Sequence, residues 1–302
     1  MSDRPDGSAD AAPIGVGGPA IRAEDPLGKA ATENFPVALR ILPVRIRQDL
    51  EAVYRYARHV DDLGDQASGD RLAALGSVEA DVRALYNGGP VSDPVVAGLA
   101  STVARQRIPA DPLLRLVEAN RRDQHISRYE TFDDLLGYCR LSADPVGELV
   151  LRVFGRATPE RIALSDKICT ALQLLEHWQD VSEDYHRGRV YVPREDLRHF
   201  SVREEDLGLR AATADVRALI EFETARAKDL LEAGAPLLGT LSGWARLSVA
   251  GYVAGGRATC AALRRGGFDP LRRVPRPTSP AFAGAFLRSM LGRRRPVTKG
   301  RA

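Results

Sequence analysis

Leu50-Glu51-Ala52-Val53-Tyr54-Arg55-Tyr56-Ala57-Arg58-His59-Val60-Asp61-Asp62-Leu63-Gly64-Asp65 carries apolar residues at Leu50, Val53, Tyr54 and Ala57, the i, i+3, i+4, i+7 spacing of a helix with one buried face. At about 100° per residue, Tyr54, Arg58, Asp61 and Asp65 share a sector of about 60°, so the acids continue the apolar stripe. A helix that faces a core and then presents carboxylates on the same side opens onto a polar cavity, because unpaired buried carboxylates are too costly. Two acids one turn apart suit Mg²⁺, which takes a few carboxylates and completes its shell with water and phosphate oxygens.

The same logic recurs downstream. In Gln173-Leu174-Leu175-Glu176-His177-Trp178-Gln179-Asp180-Val181-Ser182-Glu183-Asp184, the residues Gln173, Glu176, Asp180 and Asp184 are spaced 3, 4 and 4 apart and define one helical face. Gly188 is placed to end that helix. Arg187, Arg189 and Tyr191 then lie in an ordered basic loop whose arginines suit diphosphate oxygens. Either acidic cluster alone matches an exposed helix face; the pair, with a basic loop after the second, points to metal-assisted diphosphate chemistry.

Outward from these clusters, helical periodicity is expected at 95–106, 112–122, 133–153, 158–187, 211–233 and 241–264, and runs of alternating β-branched residues are missing. The predicted class is all-α. Residues 1–30, rich in Gly, Ala, Pro and Asp, read as a disordered lead-in, 31–280 as the folded domain, and 281–302 as a basic helix end and tail. With 44% apolar residues in 302, a substantial core is available; the net charge of +3 gives no case for nucleic acid as a partner. Cys139, Cys169 and Cys260 are too scattered for a disulfide framework or a zinc site, and Cys139 and Cys169 are expected as buried apolar residues in a reducing, cytoplasmic setting. No secretory signal or bilayer-length apolar run is visible, since Arg246 and Arg257 interrupt the most apolar segment. Nucleotide-binding, hydrolase-elbow and zincin motifs are absent.

Taken together, Glu33-Asn34-Phe35-Pro36-Val37, the Tyr54–Asp65 stretch, Tyr138-Cys139-Arg140-Leu141-Ser142-Ala143-Asp144-Pro145-Val146-Gly147, Leu172–Asp180 and Gly188-Arg189-Val190-Tyr191-Val192-Pro193 resemble the squalene and phytoene synthase family, and within it the bacterial hydroxysqualene synthases of hopanoid-associated pathways. The resemblance covers about Glu33 to Pro277. It implies a single-domain bundle around a deep cavity, with Asp61 and Asp65 opposite Asp180 and Asp184 and two or three Mg²⁺ ions between them and a prenyl diphosphate. It also implies conversion of presqualene diphosphate to hydroxysqualene, by pyrophosphate loss and water capture, with no nicotinamide cofactor. Head-to-head condensation of prenyl diphosphates, or a non-catalytic scaffold role, is the alternative.

By the same resemblance Tyr138 stands near the reacting carbon. Tyr54, Arg58, Gln173, Arg187, Arg189 and Tyr191 are candidate substrate contacts, and Arg58 doubles as an ion-pair partner of Asp61 or Asp62. Three positions depart from the family pattern. Glu176 stands where a metal-binding Asn is usual and is expected to remain a ligand, Leu39 replaces a Ser, and Asp144 replaces an Asn. His59 and His177 are expected in packing or supporting roles. The tail, with Arg288, Arg293, Arg294 and Arg295, reads as solvated, or alternatively as a peripheral contact with anionic lipid helped by Phe286, Met290 and Leu291.

Overall fold

The computed structural model describes residues 42–65 and 69–291, Leu291 by its backbone only. The expected lead-in, Glu33–Val37, Leu39 and the tail arginines Arg293–Arg295 lie outside the described residues. The helices are α1 (Val44–Asp65), α2 (Arg71–Asn87), α3 (Pro94–Gln106), α4 (Ala110–Asp123), α5 (Phe132–Ser142), α6 (Asp144–Val153), α7 (Pro159–Gln179), α8 (Val181–His186), α9 (Arg194–His199), α10 (Ala214–Gly234), α11 (Leu237–Thr240), α12 (Gly243–Arg265) and α13 (Ser279–Leu291). Among the described residues there is no strand, only an isolated bridge between Arg128 and Val190. The all-α expectation holds, and the boundary expected at residue 281 falls inside α13.

Local chemistry starts and stops these helices. Asp70, Asp93, Thr131, Thr158 and Thr213 each accept a hydrogen bond from a first-turn amide, satisfying donors that have no partner within the helix. Gly88 ends α2 in the left-handed region at φ +71°. Two long helices expected from periodicity are each broken. The segment 133–153 divides at Ala143 into α5 and α6, because Pro145 has no N–H to give the carbonyl of Leu141. The segment 158–187 divides at Asp180, at φ −102° and ψ 13°.

Packing gathers the apolar faces into three clusters. One, around Leu50, Tyr56, Leu75, Leu99 and Leu113, joins α1 to α2, α3 and α4; a second, around Leu135, Leu174, Trp178 and Leu219, joins α5, α7 and α10; a third, around Leu231, Ala250 and Val253, joins α10 to α12. The helix α13 lies along α12, with Phe286 and Met290 packed into the third cluster. These two side chains are thus partly buried against the core, which leaves less of them for the lipid contact that is the alternative reading of the tail. Among the described side chains of this helix, Leu287 and Phe282 are the exposed large apolar ones.

One close approach decides where the site forms. A Cβ on Gly64 would sit 2.2 Å from Oδ1 of Asn120, so a glycine in the last turn of α1 lets α4 come near enough for Asn120 to reach Asp61 and for Gln124 to donate to the carbonyl of Gly64. Replacing Gly64 with Ala raises helix propensity by about 1 kcal/mol but displaces a buried, hydrogen-bonded side chain. The clash outweighs the propensity gain: Gly64→Ala should lower stability by about 1–2 kcal/mol in denaturant unfolding, and an unchanged or raised midpoint would refute this account of the α1–α4 contact.

Candidate active site

The two acidic segments meet. The main-chain amide of Arg189 donates to the carbonyl of Asp184 at 2.8 Å, while its guanidinium reaches Oδ1 of Asp65 at 2.7 Å. The clusters thus lie within one arginine side chain of each other. Arg189 is held there because its loop is zipped to the α4–α5 connection. Val190 donates to Ser127, Arg194 to Tyr129 and Glu195 to Glu130 through the main chain, and Arg128 grips the carbonyl of Gly188. Gly188, at φ +82°, lets the chain turn out of α8 into this loop.

The break at Asp180 leaves the acidic face intact. Asp180 still donates its amide to the carbonyl of Glu176 at 2.9 Å, and Asp184 to that of Asp180 at 2.8 Å, so the four-residue spacing survives the junction. Asp180 has a raised pKa from burial, reinforced by Asp184 and Glu183 and offset by His177 and Arg187.

Asp61 reaches solvent although protein atoms crowd around it. Desolvation pushes its pKa up to about 6, against the hydrogen bond from Asn120 and the charge of Arg58; Asp65 and Asp62 add repulsion. Arg58 itself pairs with Asp62 at 2.8 Å, its expected structural role.

Tyr138 is buried and donates its hydroxyl to Asp123 at 2.8 Å. Burial first, then the neighbouring Tyr191 and Asp123, raise its pKa well above the ordinary tyrosine value, so it works as a neutral donor. Tyr129, Tyr138 and Tyr191 have ring centroids 5.7–5.9 Å apart, and His177 stacks on Tyr191 at 3.6 Å with Nδ1 3.7 Å from Asp184. The hydroxyl of Tyr129 is buried without a partner among the described residues. Gln173 accepts from Ser142 at 2.8 Å and lies beside His177.

The remaining expected residues separate. Tyr54 is half-buried on α1, and Glu176 is exposed one turn before Asp180. Arg187 is turned to Glu183, at 2.6 Å and largely exposed, so of the two loop arginines only Arg189 reaches the first cluster. His59 pairs with Asp93, which caps α3, and so has a structural part. Asp144 is buried and accepts from Thr170; its charged neighbours are Asp166, Arg115 and Arg140, so it supports the α6–α7 packing apart from the two clusters. Cys139 is fully buried, whereas Cys169 keeps partial exposure; all three thiols are free.

Two residues were missed from sequence. Asn120 holds Asp61 at 2.9 Å, and Asp123 receives Tyr138. Burial drives Asp123 up to about 6, with Tyr138 and Arg189 opposing and Asp65 and Asp61 reinforcing. The signal existed: α4 runs Leu113, Leu116, Val117, Asn120 and Asp123, an apolar stripe turning polar just as α1 does.

A crowd of carboxylates with one arginine, Arg189, reaching in among them suits a hard, oxygen-seeking cation. Among the described residues no three His, Cys, Asp or Glu side chains converge into a ready-made metal cage.

Residues 29–282 match the squalene/phytoene synthase family. A hydroxysqualene synthase of Zymomonas mobilis is 34% identical over 203 residues, covering 66% of this chain and 68% of that protein. A phytoene synthase of Mycobacterium tuberculosis is 31% identical over 224 residues, 72% and 73% of the two chains. Among solved structures, a squalene synthase from Alicyclobacillus acidocaldarius is similar with a TM-score of 0.75 at 43% identity, over 80% of this chain and 92% of that one.

The carboxylate crowding has a thermodynamic consequence. A carboxyl whose folded pKa is raised contributes stability that is complete below its unfolded value and is lost as pH rises through the folded value, about 6 for Asp61 and Asp123. Without divalent cations, Asp61→Asn should therefore raise the melting temperature at pH 7.5 by about 2–4 °C, a gain that fades as pH falls through 6 and vanishes near pH 4. A gain that persists unchanged at pH 4 would show that charge is not its cause.

Proposed function

The chain belongs to the squalene/phytoene synthase family, and from that premise we propose that it is a hydroxysqualene synthase acting on presqualene diphosphate. The bond from carbon to the diphosphate oxygen breaks with its electron pair leaving on pyrophosphate. The cyclopropylcarbinyl cation rearranges, and a water oxygen forms the new bond to carbon and releases one proton. One water is consumed and one pyrophosphate leaves; no hydride enters, so the reaction needs no nicotinamide. The observation carrying this reading is the meeting of two acidic faces across Arg189, in a chain similar to hydroxysqualene synthases of several bacteria.

In this reading Asp61, Asp65, Glu176, Asp180 and Asp184 hold Mg²⁺, which when bound neutralises the diphosphate and makes pyrophosphate a better leaving group. Arg189, paired with Asp65 in the free protein, is placed to transfer to diphosphate oxygens. Arg58 and Arg187 add positive charge at the margin, and Tyr54 and Gln173 line the substrate. Tyr138, with a neutral hydroxyl oriented by Asp123, and Tyr191 present ring faces that favour a nearby carbocation and keep bulk water from it.

Condensation of two prenyl diphosphates is the second reading, favoured by the 31% identity to a phytoene synthase. Either substrate is a long-chain lipid, and no helix of the described residues is long and apolar enough to cross a membrane. We take the protein to visit a lipid surface peripherally.

Incubation with presqualene diphosphate and, separately, with farnesyl diphosphate, each with Mg²⁺, should yield hydroxysqualene from the first and no condensation product from the second; the reverse pattern sinks the assignment. Alanine at Asp61, Asp65, Asp180 or Asp184 should lower kcat by at least about 10³-fold while leaving the circular dichroism spectrum intact. Glu176→Asn should preserve or raise turnover, since Asn restores the usual ligand at the same helical phase. Complete loss there would show that the negative charge of Glu176 is essential.

A further inference from the structure

The strap between α12 and α13, Gly266–Thr278, packs a second charged feature against the end of α7. A groove of about 580 Å³ is walled by Arg217, Arg265, Asp269, Arg272, Arg273 and Arg276. Asp269 is the acid of this wall, and it is spent. It binds Arg217 at 2.6 Å and accepts the amides of Ala212 and Arg272. Arg265, Arg272, Arg273 and Arg276 are all exposed, and none makes a side-chain hydrogen bond or ion pair among the described residues.

The adjoining groove between α10, α12 and α13 adds Lys228, Arg264 and Arg288. Its carboxylates are Glu232, taken by Arg257, and Glu221. Helix-dipole complementarity accounts for Arg264 and Arg265, which lie in the last turn of α12, but not for Arg272, Arg273 and Arg276 beyond it.

The main chain that carries these cations is also held in place. Gly267 and Phe268 turn left-handed out of α12 at φ +64° and +53°, Asp269 fixes the amide of Arg272, and Gln179 donates to the carbonyl of Pro275. Gln179 is the chain neighbour of Asp180, so the strap lies roughly 10 Å from the second acidic cluster. An unneutralised cationic surface on a fixed main chain, beside the end of the bundle where the acidic clusters meet, is complementary to a sheet of phosphate headgroups.

We propose that Arg265, Arg272, Arg273 and Arg276 form the docking face on which the protein rests against an anionic phospholipid bilayer, bringing the acidic clusters next to the surface that supplies its substrate. This rests on the reading of the substrate as a membrane-dissolved prenyl diphosphate. The contact is made by phosphate and carboxylate headgroups to guanidinium groups, so it is electrostatic, weakens with salt and needs no inserted helix.

The test is sedimentation of the full-length protein with vesicles of phosphatidylcholine alone or containing phosphatidylglycerol, at low and high ionic strength. The quadruple variant Arg265→Gln/Arg272→Gln/Arg273→Gln/Arg276→Gln is compared with a triple variant, Arg293→Gln/Arg294→Gln/Arg295→Gln. Wild type should bind only the anionic vesicles and release at high salt. The quadruple variant should lose roughly a hundredfold or more in partitioning, and the triple variant should retain most of it. Unchanged binding by the quadruple variant, equal binding to neutral vesicles, or loss confined to the triple variant would overturn the proposal. Turnover of detergent-dispersed presqualene diphosphate, measured alongside, should match wild type in the quadruple variant; a variant that loses this turnover as well would count against a pure docking role. Because vesicle binding is read without catalysis, a protein that binds as expected but converts no presqualene diphosphate keeps the docking face and loses only the functional assignment.

Discussion

Arg189 carries the constraint on which the site depends. Its main chain satisfies a carbonyl at the end of α8, and its side chain neutralises part of Asp65 at the end of α1. Two helix ends, each rich in carboxylates, would otherwise repel across a space partly shielded from water, where charges interact more strongly than in bulk solvent. An arginine suits this position because its charge persists when buried and its fork can exchange one oxyanion partner for another. The zipper between residues 127–130 and 190–195 fixes where that arginine starts.

Negative charge is concentrated here beyond what the protein itself neutralises. Asp61 and Asp123 both sit near pKa 6 because burial outweighs the hydrogen bonds that favour their ionised forms. Such a site holds free energy against the day a cation and an anionic ligand arrive together, at the expense of the stability of the empty protein. Asn120 and Tyr138 do not cancel the charge; they orient it, each donating one hydrogen bond to a carboxylate. The aromatic rings of Tyr129, Tyr138, Tyr191 and His177 supply the opposite character immediately beside the acids. A polar lip beside aromatic rings suits a ligand that is anionic at one end and apolar along its body.

The apolar clusters explain why this lip is positioned so firmly. The helix α7 packs on α10 and α6, and its last turn bears both Gln179, which ties down the arginine-rich strap, and the acidic face that continues into α8. The helix α1 is fixed to α4 through the missing side chain of Gly64. Charge placement at the site thus derives from packing some distance away. The departure at Asp144 is absorbed in the same framework, where Thr170 satisfies it away from the acids.

Helical class, the position of most helices and both acidic faces were legible in the sequence, because helix periodicity and the i, i+4 spacing of acids are local properties of the chain. The same locality explains the errors. The breaks at Ala143 and Asp180 occur where a proline and a change of backbone angle interrupt patterns whose side-chain phase continues, so periodicity alone ran through them. Phe286 and Met290 read as an amphipathic tail until α12 gave them a face to pack against. Asn120 and Asp123 were visible as a polar end to an apolar stripe, yet nothing local says that α4 lies across Gly64 from Asp61. Which of Arg187 and Arg189 faces the first cluster was equally undecidable from spacing, since the two differ by a turn at Gly188 whose direction depends on main-chain contacts with residues 127–130. The sequence by itself determined the chemistry present on each helix. Tertiary structure alone decided which carboxylates come together and which arginine stands between them, because those relations are set by contacts between distant segments, as between Asp65 and Arg189, 124 residues apart.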